Sequence, residues 1–120
     1  MGDYVGRRTI RDLQALQDDF VARRGWYRFH TPRNIAQALA VEAAELLRLF
    51  QWGCGDTEEE LVSLTPKIMD ELADVQLFVV SLASSLDLDL ESAVLSKLRK
   101  NESRWPESDA TSGAWVDRER

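Results

Sequence analysis

The sequence predicts an all-α protein, a bundle of four helices. Apolar residues recur at intervals of three and four along four separate runs, as on the buried face of an amphipathic helix. Capping residues, glycines and prolines stand at the ends of these runs, and none shows the strict alternation of a half-buried strand. Short connections between the runs favour a bundle, in which facing helices place functional side chains in the interior.

The first two helices are defined by the residues at their ends. The first is predicted over Thr9–Arg24, with threonine as its N-cap and Gly25 as the residue that ends it. Residues 26–33 then form a loop rich in aromatic and polar side chains. The second helix is predicted over Asn34–Trp52, because two glycines follow closely.

The third helix is predicted to begin after Thr65 and Pro66. Threonine is a favoured N-cap, and proline is favoured at the first helical position, so this pair indicates a helix over Lys67–Leu86. The acidic stretch 56–61 before it has room for one helical turn.

The fourth helix is predicted over 90–105. Either Asp87 or Asp89 caps its start, and Pro106 ends it. The polar residues 109–120 are expected to form a flexible tail, which leaves residues 1–108 as a single domain.

Composition excludes several classes of function. The 120-residue chain carries a net charge of −6, which argues against a partner that is a nucleic-acid polymer or an anionic membrane surface. Its one cysteine, Cys54, forms neither an internal disulfide nor a zinc site by itself. No signal-like segment or long apolar run is present, so a soluble cytoplasmic protein is expected.

Two pairs of acidic residues, three positions apart, are the most informative feature. They are Glu42 with Glu45 in the second helix and Glu71 with Asp74 in the third. Glu42 occupies a position on the apolar face of its helix, where a carboxylate is costly unless its charge is compensated. A divalent cation held by both helices explains this, and Mg²⁺ suits a site made of carboxylates alone. Hydrolysis at a phosphorus atom is then the natural reaction.

Other polar and aromatic residues fit a nucleotide. Lys97, Asn101 and Arg104 continue the apolar stripe of the fourth helix, as groups that bind phosphate oxygens would. Nucleobases stack on aromatic rings, and the chain offers several near the acidic pairs. These candidates for a base pocket are Trp26, Phe29, His30, Trp52 and Phe78.

In their order along the chain, these residues resemble the MazG-like nucleotide pyrophosphohydrolases, most closely the dCTP pyrophosphatase branch. The resemblance covers roughly residues 16–107. The residues that carry it are Trp26, Phe29, His30, Pro32, Arg33 and Asn34, then Ala38, Leu39, Glu42, Glu45 and Leu46, then Leu49, Phe50, Gln51 and Trp52, then Glu71, Leu72, Asp74 and Val75, and finally Ser96, Lys97, Asn101, Arg104, Trp105 and Pro106.

The resemblance implies an all-α fold that assembles as a homodimer or a homotetramer. It also implies cleavage of a nucleoside triphosphate between its α and β phosphates. The implied Mg²⁺ ligands are Glu42, Glu45, Glu71 and Asp74. In the mechanism that we expect, one of these carboxylates, Glu45 or Glu71, acts as the general base. The implied substrate-binding residues are Lys97, Asn101 and Arg104 on the triphosphate, and Trp26, His30, Asn34, Trp52 and Phe78 elsewhere on the nucleotide.

Three positions depart from the family pattern. Val41 stands where the family often has a further glutamate, and Arg48 where related chains often carry an acid. Phe78 replaces the tyrosine common in dCTP-preferring relatives. The expected function is therefore Mg²⁺-dependent hydrolysis of a triphosphate such as dCTP, with base and sugar preference, metal number, oligomer size and sharing of sites between subunits left open. The alternatives are a non-catalytic nucleotide-binding sensor and a helical interaction module.

Overall fold

A computed structural model describes residues 6–107 of the chain, and in this range it contains helices and no strand. The prediction of an all-α protein with four helices is confirmed, while the tail predicted at 109–120 lies outside the described residues. The helices are α1 (Ile10–Arg23), α2 (Pro32–Arg48), α3 (Glu58–Ser85) and α4 (Leu90–Arg104), with short 3₁₀ turns at Trp26–Arg28 and Gln51–Gly53.

The predicted caps of the first and fourth helices are confirmed. The hydroxyl of Thr9 accepts a hydrogen bond from the backbone of Asp12 at 3.1 Å, and the carboxylate of Asp12 accepts one from the backbone of Thr9 at 2.9 Å. This reciprocal pair is a capping box at the start of α1. At α4, Asp89 accepts from the backbone of Ser92 at 3.3 Å, so Asp89 and not Asp87 is the cap.

The predicted end of the second helix, Trp52, was too far towards the C-terminus. The helix ends at Arg48, and Trp52 has left-handed backbone angles (φ 62°, ψ 30°) that no α-helix accommodates. The chain turns early because Gly55, at φ +85°, lets the ring of Phe50 lie against its backbone; a Cβ at this position would lie 2.8 Å from Phe50 Cδ1. At its start the helix includes Pro32 and is capped by Thr31.

The predicted start of the third helix was wrong. It begins at Glu58, capped by Thr57, because three glutamates in its first turn interact favourably with the positive end of the helix dipole. Pro66 therefore lies inside the helix and not at its first position. Thr65 does not cap: its hydroxyl donates to the carbonyl oxygen of Leu61 at 2.8 Å, within the helix.

The long helix α3 is the centre of the fold, and both α1 and α2 pack against it. Polar bonds fix α1 along the C-terminal half of α3, where Gln17 Nε2 donates to Ser81 Oγ at 3.1 Å and Gln14 Nε2 to Ser84 Oγ at 3.0 Å. Helix α4 packs mainly on α1. Among the described residues, none of the helices is long and apolar enough to span a membrane.

Candidate metal and nucleotide site

Three carboxylates meet where α2 crosses α3. Glu42 on α2 and Glu71 and Asp74 on α3 each offer one oxygen, and these oxygens all lie within 4.8 Å of one another. The three-residue spacing on α3 places both of its acids on the face that meets α2. The structure thus brings together three of the four predicted metal ligands.

The electrostatics of this acidic cluster favour a bound cation. Burial raises the pKa of Glu42, and a hydrogen bond with Glu71 and the negative charges of Asp74, Glu71 and Glu45 raise that pKa further. Glu71 Oε2 is buried and has no hydrogen-bond partner among the described residues. Such an oxygen is costly to desolvate unless it is coordinated. An all-carboxylate donor set with one unsatisfied oxygen fits a hard divalent ion such as Mg²⁺.

Glu45, the fourth predicted ligand, lies beside this cluster. Its Oε2 is 3.7 Å from Nη1 of Arg48, one turn later on α2. It is half-buried, and its charge still acts on Glu42. Its assignment as ligand or general base remains a prediction.

An aromatic pocket adjoins the acidic cluster and shares Asp74 with it. The pocket has a volume of about 540 Å³ and is partly open to solvent. The rings of Trp26 and Phe20 meet edge to face in its wall, with centroids 5.9 Å apart. Its lining residues are Arg8, Leu13, Leu16, Gln17, Phe20, Trp26, Asp74, Leu77 and Phe78.

This aromatic pocket contains two predicted site residues, Trp26 and Phe78, together with residues of α1 that were not predicted as site residues. Phe20 was assigned to the apolar face of the first helix, which is also how a core residue appears in a sequence. Gln17 carried a usable signal, because its polar amide interrupts that apolar face as Glu42 interrupts the face of α2.

Three other predicted nucleotide-binding residues lie outside this pocket. His30 lines a separate polar cavity of about 370 Å³ together with Asp18, Tyr27 and three serines. Asn34 Nδ2 donates to the carbonyl oxygen of Phe29 at 3.0 Å and so braces the loop before α2. Trp52 is 98 % exposed.

The predicted phosphate-binding residues lie on α4, which packs mainly on α1. Lys97 is exposed, and the guanidinium of Arg104 lies 4.9 Å from the ring centroid of Trp105. The side-chain oxygen of Asn101 is buried and has no hydrogen-bond partner among the described residues. None of these three residues lines the aromatic pocket or belongs to the acidic cluster.

Comparison with known proteins identifies the family. Residues 38–115 match the family model described as the MazG-like family. The chain belongs to the MazG-like family. Its match includes the three acids of the cluster and Phe78, so the predicted resemblance is confirmed.

Similar proteins agree with this assignment. The chain is 41 % identical to dCTP pyrophosphatase 1 of Mus musculus over 102 residues and 40 % identical to that of Homo sapiens over 102 residues; each match covers 82 % of this chain. The chain spans 59 % of the length of either mammalian relative. A pyrophosphatase from Archaeoglobus fulgidus has a crystal structure that matches at a TM-score of 0.74 and 31 % identity, over 88 % of this chain and all of that chain.

Proposed function

We propose that this MazG-like chain is a nucleoside triphosphate pyrophosphohydrolase, which releases a monophosphate and pyrophosphate. The observation that carries the proposal is the shared position of Asp74, which belongs to the acidic cluster and also lines the aromatic pocket. A nucleotide with its base in the pocket therefore directs its phosphates towards the carboxylates. The names of the mammalian relatives support the same activity and suggest dCTP or a related pyrimidine nucleotide as substrate.

The reaction is a hydrolysis at phosphorus. Glu42, Glu71 and Asp74 would hold Mg²⁺, with Glu45 as a fourth ligand; when bound, the ion neutralises phosphate charge and acidifies water. A carboxylate, Glu45 or Glu71, accepts a proton from the attacking water. The water oxygen forms a bond to phosphorus as the bond between that phosphorus and the bridging α–β oxygen breaks, so that pyrophosphate and monophosphate separate.

The aromatic pocket supplies the contacts to the base. Trp26 and Phe78 offer ring faces for stacking, and the amide of Gln17 offers both a donor and an acceptor to a base edge. Phe78 has no hydroxyl, so the pocket makes one polar contact fewer than a tyrosine would allow. Related or modified pyrimidines are therefore expected to compete well with dCTP.

We further propose that the chain works as a homodimer or homotetramer in the cytoplasm. Helix α3 is about twice as long as α1, and α1 covers only the C-terminal half of α3. On the half of α3 that α1 does not cover, Val62, Met69 and Leu72 share one face and are 69 %, 64 % and 51 % exposed. Exposed apolar stripes of this kind mark association surfaces. Lys97, Asn101 and Arg104 are proposed to bind the triphosphate, and His30 and Asn34 the rest of the nucleotide, within this assembly.

One observation favours a second candidate, a nucleotide-binding sensor without turnover. Arg48 lies 3.7 Å from Glu45, and an arginine that holds this carboxylate would remove a ligand or base from the site. In that case the protein would bind nucleotide and metal but release no product.

A product assay separates these candidates. The protein is incubated with the canonical deoxynucleoside triphosphates and with modified pyrimidine analogues, in Mg²⁺ or in EDTA, and the products are resolved chromatographically. Metal-dependent monophosphate and pyrophosphate from the wild type, lost in Glu71→Gln but retained in the exposed control Asp70→Asn, support the enzyme. Nucleotide binding without turnover would establish the sensor, and diphosphate as product would contradict the proposed reaction.

A further inference from the structure

Arg48 is the last residue of α2, and its guanidinium lies near the acidic cluster. Its Nη1 is 3.7 Å from Oε2 of Glu45, and the negative charge of Glu45 in turn acts on Glu42 within the cluster. Side chains on a helix lean towards its N-terminus, so this arginine reaches back from the end of the helix towards the carboxylates. A positive group therefore stands at one edge of the proposed metal site.

The ion pair with Glu45 leaves this guanidinium accessible. A separation of 3.7 Å is too long for a hydrogen bond, and the side chain of Arg48 is 71 % exposed. Exposed ion pairs of this kind contribute little to stability, so the pair exchanges readily for a better one. A guanidinium carries five N–H donors in a planar fork that binds phosphate oxygens in pairs. Arg48 is thus equipped to bind a phosphate that comes within its reach.

The two helices that carry the acids run in opposite directions. From the acidic cluster, the end of α2 at Arg48 is about 9 Å away along its axis, and the start of α3 at Glu58 is about 20–24 Å away. If the helices were parallel, the connection would have to span roughly 30 Å, close to the limit of about 33 Å for ten fully extended residues. The connection is instead folded, since it contains the 3₁₀ turn Gln51–Gly53 and Gly55 lies against the ring of Phe50. Arg48 therefore lies beside the part of α3 that precedes the cluster.

The aromatic pocket lies on the other side of the cluster. It shares Asp74 with the cluster and extends to Phe78, one turn further towards the C-terminus of α3. The proposed nucleotide has its base in this pocket and its phosphates at the carboxylates. A triphosphate that continues in the same direction carries its terminal phosphates past the carboxylates and towards Arg48, about 9 Å beyond Glu42 along α2.

We propose that Arg48 binds the β- and γ-phosphates of the substrate, the two that leave as pyrophosphate, and so makes the site select a triphosphate. This inference rests on the proposed function. Carboxylates hold phosphates only through a bound cation, whereas a guanidinium binds phosphate oxygens directly. When the nucleotide binds, Arg48 exchanges Glu45 for a phosphate and releases that carboxylate for its proposed role as ligand or base. The arginine that pairs with Glu45 in the free protein then serves the reaction.

The two products of the reaction test the two ends of the site separately. Inorganic pyrophosphate represents the β- and γ-phosphates, while dCMP carries the base, the sugar and the α-phosphate. In calorimetric titrations with Mg²⁺, Arg48→Gln should raise the Kd for pyrophosphate by about 10- to 150-fold, the loss expected for hydrogen bonds to a charged group. The Kd for dCMP should not change, and an equal loss of dCMP binding would refute the proposal as a general structural effect. Arg48→Lys keeps the charge without the planar fork, so its Kd for pyrophosphate should lie between those of the wild type and Arg48→Gln.

Arg23→Gln is a matched control on α1. Arg23 also belongs to an exposed ion pair within one helix, since its Nε is 2.9 Å from Oδ2 of Asp19 and its side chain is 63 % exposed. Each of the two substitutions to glutamine removes one positive charge, so a general weakening of anion binding would appear equally in both. We expect Arg23→Gln to bind pyrophosphate as the wild type does. Equal weakening in Arg23→Gln and Arg48→Gln would contradict a specific contact.

Turnover gives an independent measurement. Because every triphosphate has the same phosphates, Arg48→Gln should lower kcat/KM by about 10- to 150-fold for each substrate of the wild type and leave their ranking unchanged. If Arg48→Gln binds pyrophosphate as tightly as the wild type, or turns over faster because Glu45 has been freed, the proposal is wrong. A wild type that hydrolyses no triphosphate would refute the proposed function itself, and the pyrophosphate titrations would still decide whether Arg48 binds phosphate.

Discussion

The substitution Glu42→Gln tests whether the acidic cluster is built for a cation. In the metal-free protein, Glu42 shares a small volume with Glu71 and Asp74, and burial and these neighbours raise its pKa. A group whose pKa is raised on folding stabilises the fold at pH values below its unfolded pKa, and this contribution is lost as the pH rises through the folded pKa. At neutral pH the metal-free wild type therefore carries an unfavourable charge that the amide removes.

The size of the effect follows from the geometry. Two unit charges 4.8 Å apart, the largest separation in the cluster, repel by about 1 kcal/mol in a bulk-water dielectric and by about 3.5 kcal/mol at an effective dielectric of 20. Because the cluster is partly open to solvent, we expect Glu42→Gln to stabilise the metal-free protein by about 1–3 kcal/mol. For a domain of this size, the melting temperature should rise by roughly 3–10 °C.

Thermal unfolding at pH 7, in EDTA and in Mg²⁺, measures both sides of this argument. At a concentration 100-fold above its Kd, Mg²⁺ should stabilise the wild type by about 2.7 kcal/mol and so raise its Tm. The Tm of Glu42→Gln should rise much less. Asp70→Asn makes the same charge change on an exposed position of α3 and should change neither Tm nor the response to metal by a comparable amount. A lower Tm for Glu42→Gln in EDTA, or an undiminished response to Mg²⁺, would refute the reasoning.

Three further predictions concern the pocket, the α1–α4 contact and the Trp52 turn. Phe78→Ala should lower kcat/KM by about 5- to 150-fold in steady-state assays, since it removes a stacking face; an unchanged value would exclude Phe78 from the base site. Asp89→Asn should lower Tm at pH 7, because the hydrogen bond from Arg11 holds the pKa of the Asp89 carboxyl below its usual value. The stability that the ionised Asp89 contributes is lost as the pH falls through that lowered pKa, so the difference in Tm from the wild type should vanish in acid. Gly55→Ala should cost about 1–2 kcal/mol in urea unfolding, because its φ of +85° is left-handed and its Cβ would lie 2.8 Å from Phe50.

The sequence predicted those parts of the fold that depend on neighbouring residues. Thr9 and Asp89 cap their helices as expected, because capping needs only a side chain and the backbone three residues ahead. The start of α3 was missed because proline is a strong local signal for the start of a helix. Whether a proline is instead tolerated inside a helix, as Pro66 is, depends on the helical turns that precede it. The end of α2 was missed because the contact of Phe50 with Gly55 is made only after the chain has turned.

The same distinction applies to the site. Glu42 was recognised because a carboxylate interrupting an apolar face is visible in one helix, and the partner acids repeat that signal on another. Phe20 was not recognised, since a ring that lines a pocket and a ring that fills a core have the same helical spacing. Trp52 was assigned to the nucleotide, with sharing of sites between subunits left open, and this assignment stays a prediction; Trp52 does not line the aromatic pocket of its own chain.

The most direct test of the central claim is to locate the metal. Crystals grown with Mn²⁺ in place of Mg²⁺ and with a non-hydrolysable triphosphate analogue would be measured at the manganese absorption edge. We expect an anomalous peak about 2.0–2.3 Å from carboxylate oxygens of Glu42, Glu71 and Asp74, with phosphate oxygens completing the coordination of the metal. A peak elsewhere, or bound analogue with no metal at this cluster, would contradict it.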